Sequence, residues 1–172
     1  MELKTAINLI ATGVEQASPQ VWADLGAGRG LFTQALASLL PASSIVYAVD
    51  SNRAALRSIM LPKGIALHTL EKDFVKDELA LEPLDGILMA NSFHYVADKY
   101  TFIANIRKKL KSTGRILLVE YNTEAANTWV PYPISYTSLV KFAREAGIAS
   151  VKKLAEAPSV YQGSMYSALL QL

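Results

Sequence analysis

The stretch "VWADLGAGRGLFTQAL", residues 21–36, decides the fold. An apolar run ends at Leu25, three glycines follow (Gly26, Gly28 and Gly30), and apolar residues then recur at helical spacing. A strand, a glycine turn and a helix in this order predict the first unit of an α/β fold, with a turn that brings backbone close to a ligand. That ligand is either a nucleotide phosphate or a molecule that binds without a phosphate.

The composition predicts one globular domain over residues 1–172. Hydrophobic residues make up 51% of the chain and charged residues 19%, which is enough apolar surface for a sizeable core. The absence of cysteine excludes disulfides and thiolate chemistry, and no apolar run has the roughly 18 residues of a membrane span. Without a signal-peptide pattern, the expected location is the cytoplasm. No pattern indicates a metal site.

The charge balance does not indicate nucleic-acid binding. The chain carries 17 basic and 15 acidic residues, a net charge of +2. One basic cluster does occur, and it consists of Arg107, Lys108, Lys109, Lys111 and Arg115. We interpret it as the cationic end of a helix that stops at Gly114, in preference to a nucleic-acid patch.

Short apolar runs alternate with helical patterns along the chain. The runs are Val21–Leu25, Ile45–Val49, Ile65–Leu70, Asp85–Ala90 and Ile116–Glu120. Helical spacing of apolar residues is centred on residues 31–39, 55–60, 102–110 and 139–146, and residues 3–14 supply a leading helix. Strands separated by helices predict a parallel sheet that is covered on both faces, a doubly wound α/β fold.

The end of the chain breaks this alternation. Ile148–Leu154 reads as a sixth strand and Met165–Leu172 as a seventh, and the segment between them contains Pro158 and Gly163 but no helical pattern. Two strands joined by a loop alone are antiparallel. The sequence therefore predicts a seven-stranded, mostly parallel sheet whose last strand runs backwards in a hairpin with the sixth.

The glycine turn fits neither common phosphate motif. In the dinucleotide fingerprint the third glycine comes one residue later, where this chain has Leu31, and no Gly-Lys-Ser/Thr follows as in a Walker A loop. Two acids at later strand ends favour a nucleoside instead. Asp50 can accept hydrogen bonds from both ribose hydroxyls, and Asp73 can accept one from the amine of adenine, with Phe74 against the ring. Taken singly, each acid is also a common helix-capping or turn residue.

At this point the sequence resembles the class I S-adenosylmethionine-dependent methyltransferases. "VWADLGAGRG", "VYAVDSN", "LEKDF", "LDGILMANSFHYV" and "LKSTGRILLVEYN" are similar to their successive motifs. The likeness covers roughly residues 5–172 and is strongest to small bacterial enzymes of the ubiquinone/menaquinone-biosynthesis type. It implies a Rossmann-like sheet, S-adenosylmethionine as cofactor and in-line displacement of a methyl group.

The resemblance also implies site residues at the carboxyl ends of the strands. Asp24 serves the cofactor's ammonium directly or through water, and Asn91 lies near its methionine part. The implied cofactor contacts are Asp24, Gly26, Ala27, Gly28, Gly30, Asp50, Ser51, Asp73, Phe74 and Asn91. Substrate contacts are expected from Tyr95, Asn122, Trp129, Tyr132 and Tyr161. Trp129 and Tyr132 either form a semi-rigid lid or cover the core.

His94 is the candidate general base, because histidine titrates near neutrality; the alternative is that it caps or packs the turn. The residues after the fourth strand are Asn91-Ser92-Phe93-His94, not the Asn-Pro-Pro-Tyr of many amino-methylating enzymes. We therefore expect a small-molecule acceptor methylated on oxygen, nitrogen or carbon, and no membrane or nucleic-acid partner. The alternatives are a non-catalytic module that binds the cofactor or its homocysteine product, a protein or RNA methyltransferase, and an NAD-dependent oxidoreductase, which the early third glycine opposes.

Overall fold

A computed structural model describes residues 1–81, 83–159 and 163–172. The helices are Leu3–Ile10 (α1), Leu31–Leu39 (α2), Arg53–Leu56 (α3), Lys99–Arg107 (α4) and Tyr136–Glu145 (α5). The strands are Val21–Leu25 (β1), Ile45–Asp50 (β2), Ala66–Glu71 (β3), Leu84–Ala90 (β4), Leu110–Tyr121 (β5), Ser150–Pro158 (β6) and Ser164–Gln171 (β7). Single 3₁₀ turns occur at Ala11–Gly13 and Phe93–Tyr95.

The strands form one seven-stranded sheet in the order β3-β2-β1-β4-β5-β7-β6. Pairings from β3 to β5 are parallel, and β7 is antiparallel to both β5 and β6. The predicted doubly wound fold with a reversed last strand is confirmed. The order reverses between β1 and β4, so the carboxyl ends of these strands open a crevice in which α/β proteins bind ligands.

Hydrophobic clusters cover both faces of the sheet, because strand side chains alternate between its faces. On one face, α1 and α2 pack against Trp22, Leu88 and Leu117. On the other, α4 and α5 pack against Ile87 and Leu118. Between β3 and β4 the described residues form turns and no helix, and Leu79 of that segment reaches the second cluster.

The helix stop predicted at Gly114 is wrong. Helix α4 ends at Arg107, and Gly114 lies inside β5, next to a register shift in the pairing with β4. Lys111 pairs with Asp85 at 2.8 Å and Arg115 with Glu15 at 2.6 Å. Two cations of the predicted cluster are therefore paired with acids on strands or turns, at the edge of the sheet opposite the crevice.

Two other boundaries differ from the prediction for physical reasons. Helix α3 stops at Leu56, and Met60 is exposed; Pro62 disfavours any longer helix here, because it lacks an N–H and restricts the residue before it. Strand β6 continues through Pro158, which was predicted to lie in a loop. Strand β6 is the edge of the sheet and pairs only with β7, so a proline without an N–H is tolerated there.

Candidate functional site

The glycine turn after β1 is fastened to the end of β2. The N–H groups of Gly26 and Ala27 donate to the carbonyl of Val49 at 2.8 and 3.0 Å. The N–H of Gly28 donates to Asp50 Oδ2 at 2.7 Å, and the N–H of Asn52 donates to Oδ1 at 2.8 Å. The Asp50 carboxylate is thus held in one orientation, and each oxygen keeps a lone pair for a ligand.

The backbone conformation at Gly28 favours a glycine, and the space beside this residue is open. Its φ of +54° is in the left-handed region, where a side chain is strained. A Cβ built on it would meet no heavy atom within 4 Å, so the space beside it is open. The turn therefore exposes bare backbone to whatever binds beside it.

A first cavity of about 430 Å³ lies at the carboxyl ends of β1, β2, β3 and β4. The predicted cofactor residues that line it are Gly26, Asp50, Ser51, Asp73, Phe74 and Asn91. Further lining residues that the sequence analysis did not single out for the cofactor are Lys72, Val75, Lys76, Ser92 and Tyr95. Ser92 Oγ donates to the Leu25 carbonyl at 2.5 Å and so joins the ends of β1 and β4. Four consecutive parallel strands thus contribute to one site.

Asp24 lies beneath this cavity and is absent from its described lining. Its side chain is buried, and Thr33 Oγ1 of α2 donates to its Oδ2 at 2.6 Å. Burial raises the pKa of Asp24 to about 7, the Thr33 hydrogen bond opposes this rise, and the nearby charge of Asp50 adds to it.

Asp73 is partly engaged by its own turn. Its Oδ1 accepts from the N–H of Val75 at 3.0 Å, and its Oδ2 pairs with Lys76 Nζ at 3.0 Å. Burial acts to raise the pKa of Asp73, but the hydrogen bonds and charge of Lys76 and the N–H of Val75 outweigh burial and hold this pKa below its usual range. Asp73 therefore closes its turn and also lines the cavity beside Phe74.

Asn91 stands between the first cavity and a second one. Its φ of +53° is unusual for a residue other than glycine, and its backbone N–H donates to the Val119 carbonyl at 2.8 Å. Its side-chain Oδ1 is buried without a hydrogen-bond partner, the one such side-chain atom found in the part of the chain that the structure describes. A buried acceptor of this kind calls for a donor from a ligand or water.

The second cavity, of about 600 Å³, opens beyond β4 and β5. It shares Asn91 and Tyr95 with the first cavity. Its remaining lining residues are His94, Tyr121, Thr123, Asn127, Trp129 and Val130. The wall is largely aromatic, with a few polar groups, as in small-molecule sites.

His94 is almost fully buried and paired with Glu120 at the end of β5. Its Nδ1 lies 2.7 Å from Glu120 Oε2, and its backbone N–H donates to Oε1 at 3.1 Å. The ring also lies 4.4 Å from the ring of Tyr95, centroid to centroid. Histidine and carboxylate are in the arrangement that fixes which ring nitrogen carries a proton.

The segment that holds Trp129 and Tyr132 covers part of this region. Trp129 is 79% exposed at the second cavity, so it is not a core residue in this structure. Tyr132 lies on the neighbouring surface groove; its N–H donates to the His94 carbonyl at 3.0 Å, and its own carbonyl accepts from Lys99 Nζ at 2.8 Å. Burial lowers the pKa of Lys99, and the charge of Glu120 opposes this effect.

Of the predicted substrate residues that the structure describes, Asn122 and Tyr132 line neither cavity. Asn122, directly after β5, instead contacts the start of α5: its Oδ1 accepts from the N–H of Tyr136 at 3.0 Å. Tyr161 lies outside the described residues. Ala27, Gly28 and Gly30 shape the turn without appearing in the cavity lining.

The family comparison agrees with this geometry. A family model described as "Methyltransferase domain" matches residues 23–116, more than half of the chain. The chain belongs to this family. It is a class I S-adenosylmethionine-dependent methyltransferase, and S-adenosylmethionine is its cofactor.

Solved structures share the fold of this methyltransferase at low sequence identity. A methyltransferase from Aquifex aeolicus has a TM-score of 0.68 and 14% identity, over 99% of this chain and 98% of that one. The 1,6-didemethyltoxoflavin N1-methyltransferase of Burkholderia thailandensis was solved with 1,6-didemethyltoxoflavin and S-adenosylhomocysteine. Its TM-score is 0.67 and its sequence identity 18%, over 99% of this chain and 78% of that one. The magnesium protoporphyrin IX methyltransferase of Synechocystis was solved with the cofactor. Its TM-score is 0.65 and its sequence identity 14%, over 99% of this chain and 78% of that one. A search of curated proteins gives no match.

The methyltransferase has, within residues 1–81, 83–159 and 163–172, no helix with the length and apolar character needed to cross a bilayer. The same residues contain no group of three histidine or acidic side chains arranged to hold a metal ion.

Proposed function

We propose that this methyltransferase methylates a small aromatic or apolar metabolite, and that the metabolite binds in the second cavity. The observation that carries the proposal is that the two cavities meet at Asn91 and Tyr95. A cofactor in the first cavity and an acceptor in the second would therefore face each other across these two residues. Holding two reactants in line is the main contribution an enzyme makes to such a displacement.

The first cavity suits the cofactor. The two fixed carboxylate oxygens of Asp50 support a ribose contact, and Asp73 and Phe74, which line the same cavity, would contact the adenine. The buried Oδ1 of Asn91 is an acceptor for the ammonium of the methionine part. When bound, S-adenosylmethionine supplies a methyl group on a positively charged sulfur. Asp24, beneath the turn, acts through water in this proposal.

The second cavity suits a small acceptor with a flat ring. The rings of Tyr95, Tyr121 and Trp129 offer stacking surfaces, and Thr123 and Asn127 offer hydrogen bonds. His94 lines the same cavity and is the proposed general base. Two fold neighbours support a small planar acceptor, since one was solved with 1,6-didemethyltoxoflavin and another acts on magnesium protoporphyrin IX. Residues 1–172 act as one domain in the cytoplasm in this proposal.

A protein or RNA acceptor is the second candidate. The pairing of Lys111 with Asp85 and of Arg115 with Glu15 weakens it, because these cations are already partnered by acids at the opposite edge of the sheet. The phosphates of an RNA acceptor would have to displace Asp85 and Glu15 in order to bind these cations.

Methyl-labelled cofactor distinguishes these acceptors. The purified methyltransferase is incubated with the cofactor and with separate metabolite, RNA and protein fractions of a cell extract. We expect label in the metabolite fraction, and less label with Asp50→Ala at the same cofactor concentration. Asp85→Ala is the matched control, because Asp85 also accepts a backbone N–H from another strand, that of Val21 at 2.8 Å, but at the far edge of the sheet. Label in RNA or protein would overturn the proposed acceptor class.

A further inference from the structure

Glu120 is a buried carboxylate whose two oxygens both serve one residue. Oε1 accepts the backbone N–H of His94, and Oε2 lies on Nδ1 of the same histidine. Both side chains are 2% exposed. The first contact by itself would tether the turn after β4, so the second contact is what remains to be explained.

The contact on the ring sets the position of a proton. An ionised carboxylate can only accept hydrogen bonds, so Nδ1 must carry a hydrogen and, in the neutral ring, Nε2 must carry the lone pair. Among the residues described, no hydrogen bond is formed to Nε2, and the ring lines the second cavity.

We propose that Glu120 is a positioning residue that holds His94 as the Nδ1–H tautomer, so that Nε2 takes a proton from an O–H or N–H group of the acceptor during methyl transfer. This inference rests on the proposed acceptor site and narrows its substrate class. A carboxylate behind the ring also stabilises the imidazolium that forms when Nε2 is protonated.

The step balances in atoms and charge. The lone pair of the acceptor oxygen or nitrogen forms the new bond to the methyl carbon, and the electron pair of the carbon–sulfur bond goes to sulfur. The acceptor proton passes to Nε2, and solvent removes it later. One positive charge leaves the sulfonium and one appears on the His94 ring beside Glu120, so the total charge is unchanged.

This arrangement selects the acceptor's reacting atom. A hydroxyl, a phenol or an N–H group loses a proton on methylation and needs a base when it does not ionise by itself. A thioether or a tertiary amine has no proton to lose and gains nothing from His94. The acceptor class is therefore a ring compound methylated on a proton-bearing oxygen or nitrogen.

Ring-nitrogen NMR tests the tautomer without any acceptor or cofactor. The chain has two histidines, and His68→Gln assigns the signals of His94. We expect the neutral form of the His94 ring in the wild-type protein to carry its hydrogen on Nδ1. A neutral ring with its hydrogen on Nε2 overturns the proposal, whatever the variants do.

Glu120→Gln tests whether the carboxylate of Glu120 sets the tautomer of His94. The backbone N–H of His94 can only donate, so the Gln oxygen must face it and the Gln NH₂ group must face Nδ1. The hydrogen is then expected to move to Nε2, and methyl transfer to fall by about 10²-fold or more, while the Kd for S-adenosylhomocysteine stays within about twofold. Glu145→Gln is the control, because the exposed Glu145 accepts from Tyr100 and touches neither cavity. A Glu120→Gln protein that keeps the wild-type rate and tautomer contradicts the proposal.

The labelled product tests the substrate class separately. A ¹³C-methyl cofactor places a resonance on the product that distinguishes methyl on oxygen, nitrogen, carbon or sulfur. Methyl on an oxygen or nitrogen that carried hydrogen supports the inference. Methyl on sulfur, carbon or a tertiary amine overturns it, even when the acceptor is a small molecule as proposed. Label in RNA or protein instead marks a failure of the proposed function, and the tautomer measurement stays independent of both.

Discussion

The carboxylate of Asp50 accepts a hydrogen bond from the backbone N–H of Gly28 at 2.7 Å. This bond joins the acid at the end of β2 to the glycine turn at the end of β1. It holds a negatively charged acceptor beside bare backbone, at the mouth of the first cavity. A ribose with two free hydroxyls matches this pair better than a phosphate, which the carboxylate would repel.

Removal of the Asp50 carboxylate should weaken cofactor binding. Asp50→Ala is expected to cost about 1–3 kcal/mol of binding free energy for S-adenosylhomocysteine, because it removes the acceptors of the ribose. Calorimetric titration measures this. Asp85→Ala, which removes a comparable backbone contact at the opposite edge, should leave the affinity unchanged. Equal affinities for Asp50→Ala and the wild type would refute the assignment of the ribose site.

A side chain at Gly28 should block the cofactor without unfolding the protein. Gly28→Val projects its side chain into open space, and its φ of +54° costs about 1–2 kcal/mol in strain. Gly147→Val is the matched control: its φ is +67°, it too has open space around the Cβ, and it follows α5 away from both cavities. Both variants should lose similar stability, and only Gly28→Val should lose binding of S-adenosylhomocysteine. Normal binding of S-adenosylhomocysteine by Gly28→Val would show that the turn only connects β1 to α2.

Asp24 should make the protein less stable as the pH rises. Its pKa is about 7 in the folded protein, against 3.8 for an aspartate that is fully exposed to water, so the folded state holds the proton more tightly than the unfolded chain. The free energy of unfolding therefore falls between about pH 4 and pH 7, by on the order of 4 kcal/mol from this group. Asp24→Asn keeps an acceptor for Thr33 and should remove this fall. Denaturant titrations across that range check it, and parallel curves for variant and wild type would contradict the burial argument.

Lys99 should hold the Tyr132 segment against the protein. Its Nζ donates to the carbonyls of Val96 and Tyr132, both at 2.8 Å. Lys99→Met should lower hydrogen-exchange protection of the Tyr132 amide by about tenfold, which is ~1.4 kcal/mol. Lys111→Met, at the far edge, should leave that amide unchanged. Unaltered protection in Lys99→Met would show that the Tyr132–His94 backbone bond is sufficient.

Much of the fold follows from local sequence patterns. The apolar runs before Asp50 and before the glycine turn predicted where β1 and β2 end. Because parallel strands end at the same edge of the sheet, these runs also predicted that Asp50 lies near the glycine turn. The last hairpin followed from the missing helix between β6 and β7. The helix end predicted at Gly114 was wrong, because a glycine is common both at helix ends and at irregularities within strands. Only the pairing of β5 with β4 shows which of the two applies here.

The contacts within the site were harder to predict from the sequence. His94 and Glu120 are 26 residues apart, and their contact depends on β4 and β5 being adjacent and on which face each side chain takes. The sequence places both at one sheet edge but does not pair them. Likewise, the hydrogen bond from the Tyr136 N–H at the start of α5 to Asn122 depends on where a long loop returns to the sheet.

A crystal structure of the protein with S-adenosylhomocysteine tests the central claim most directly. The account predicts adenosine in the first cavity, with the ribose hydroxyls about 3 Å from the Asp50 oxygens and the Gly28–Asp50 hydrogen bond intact. An adenosine bound elsewhere, with Asp50 contacting only Gly28 and Asn52, would contradict it.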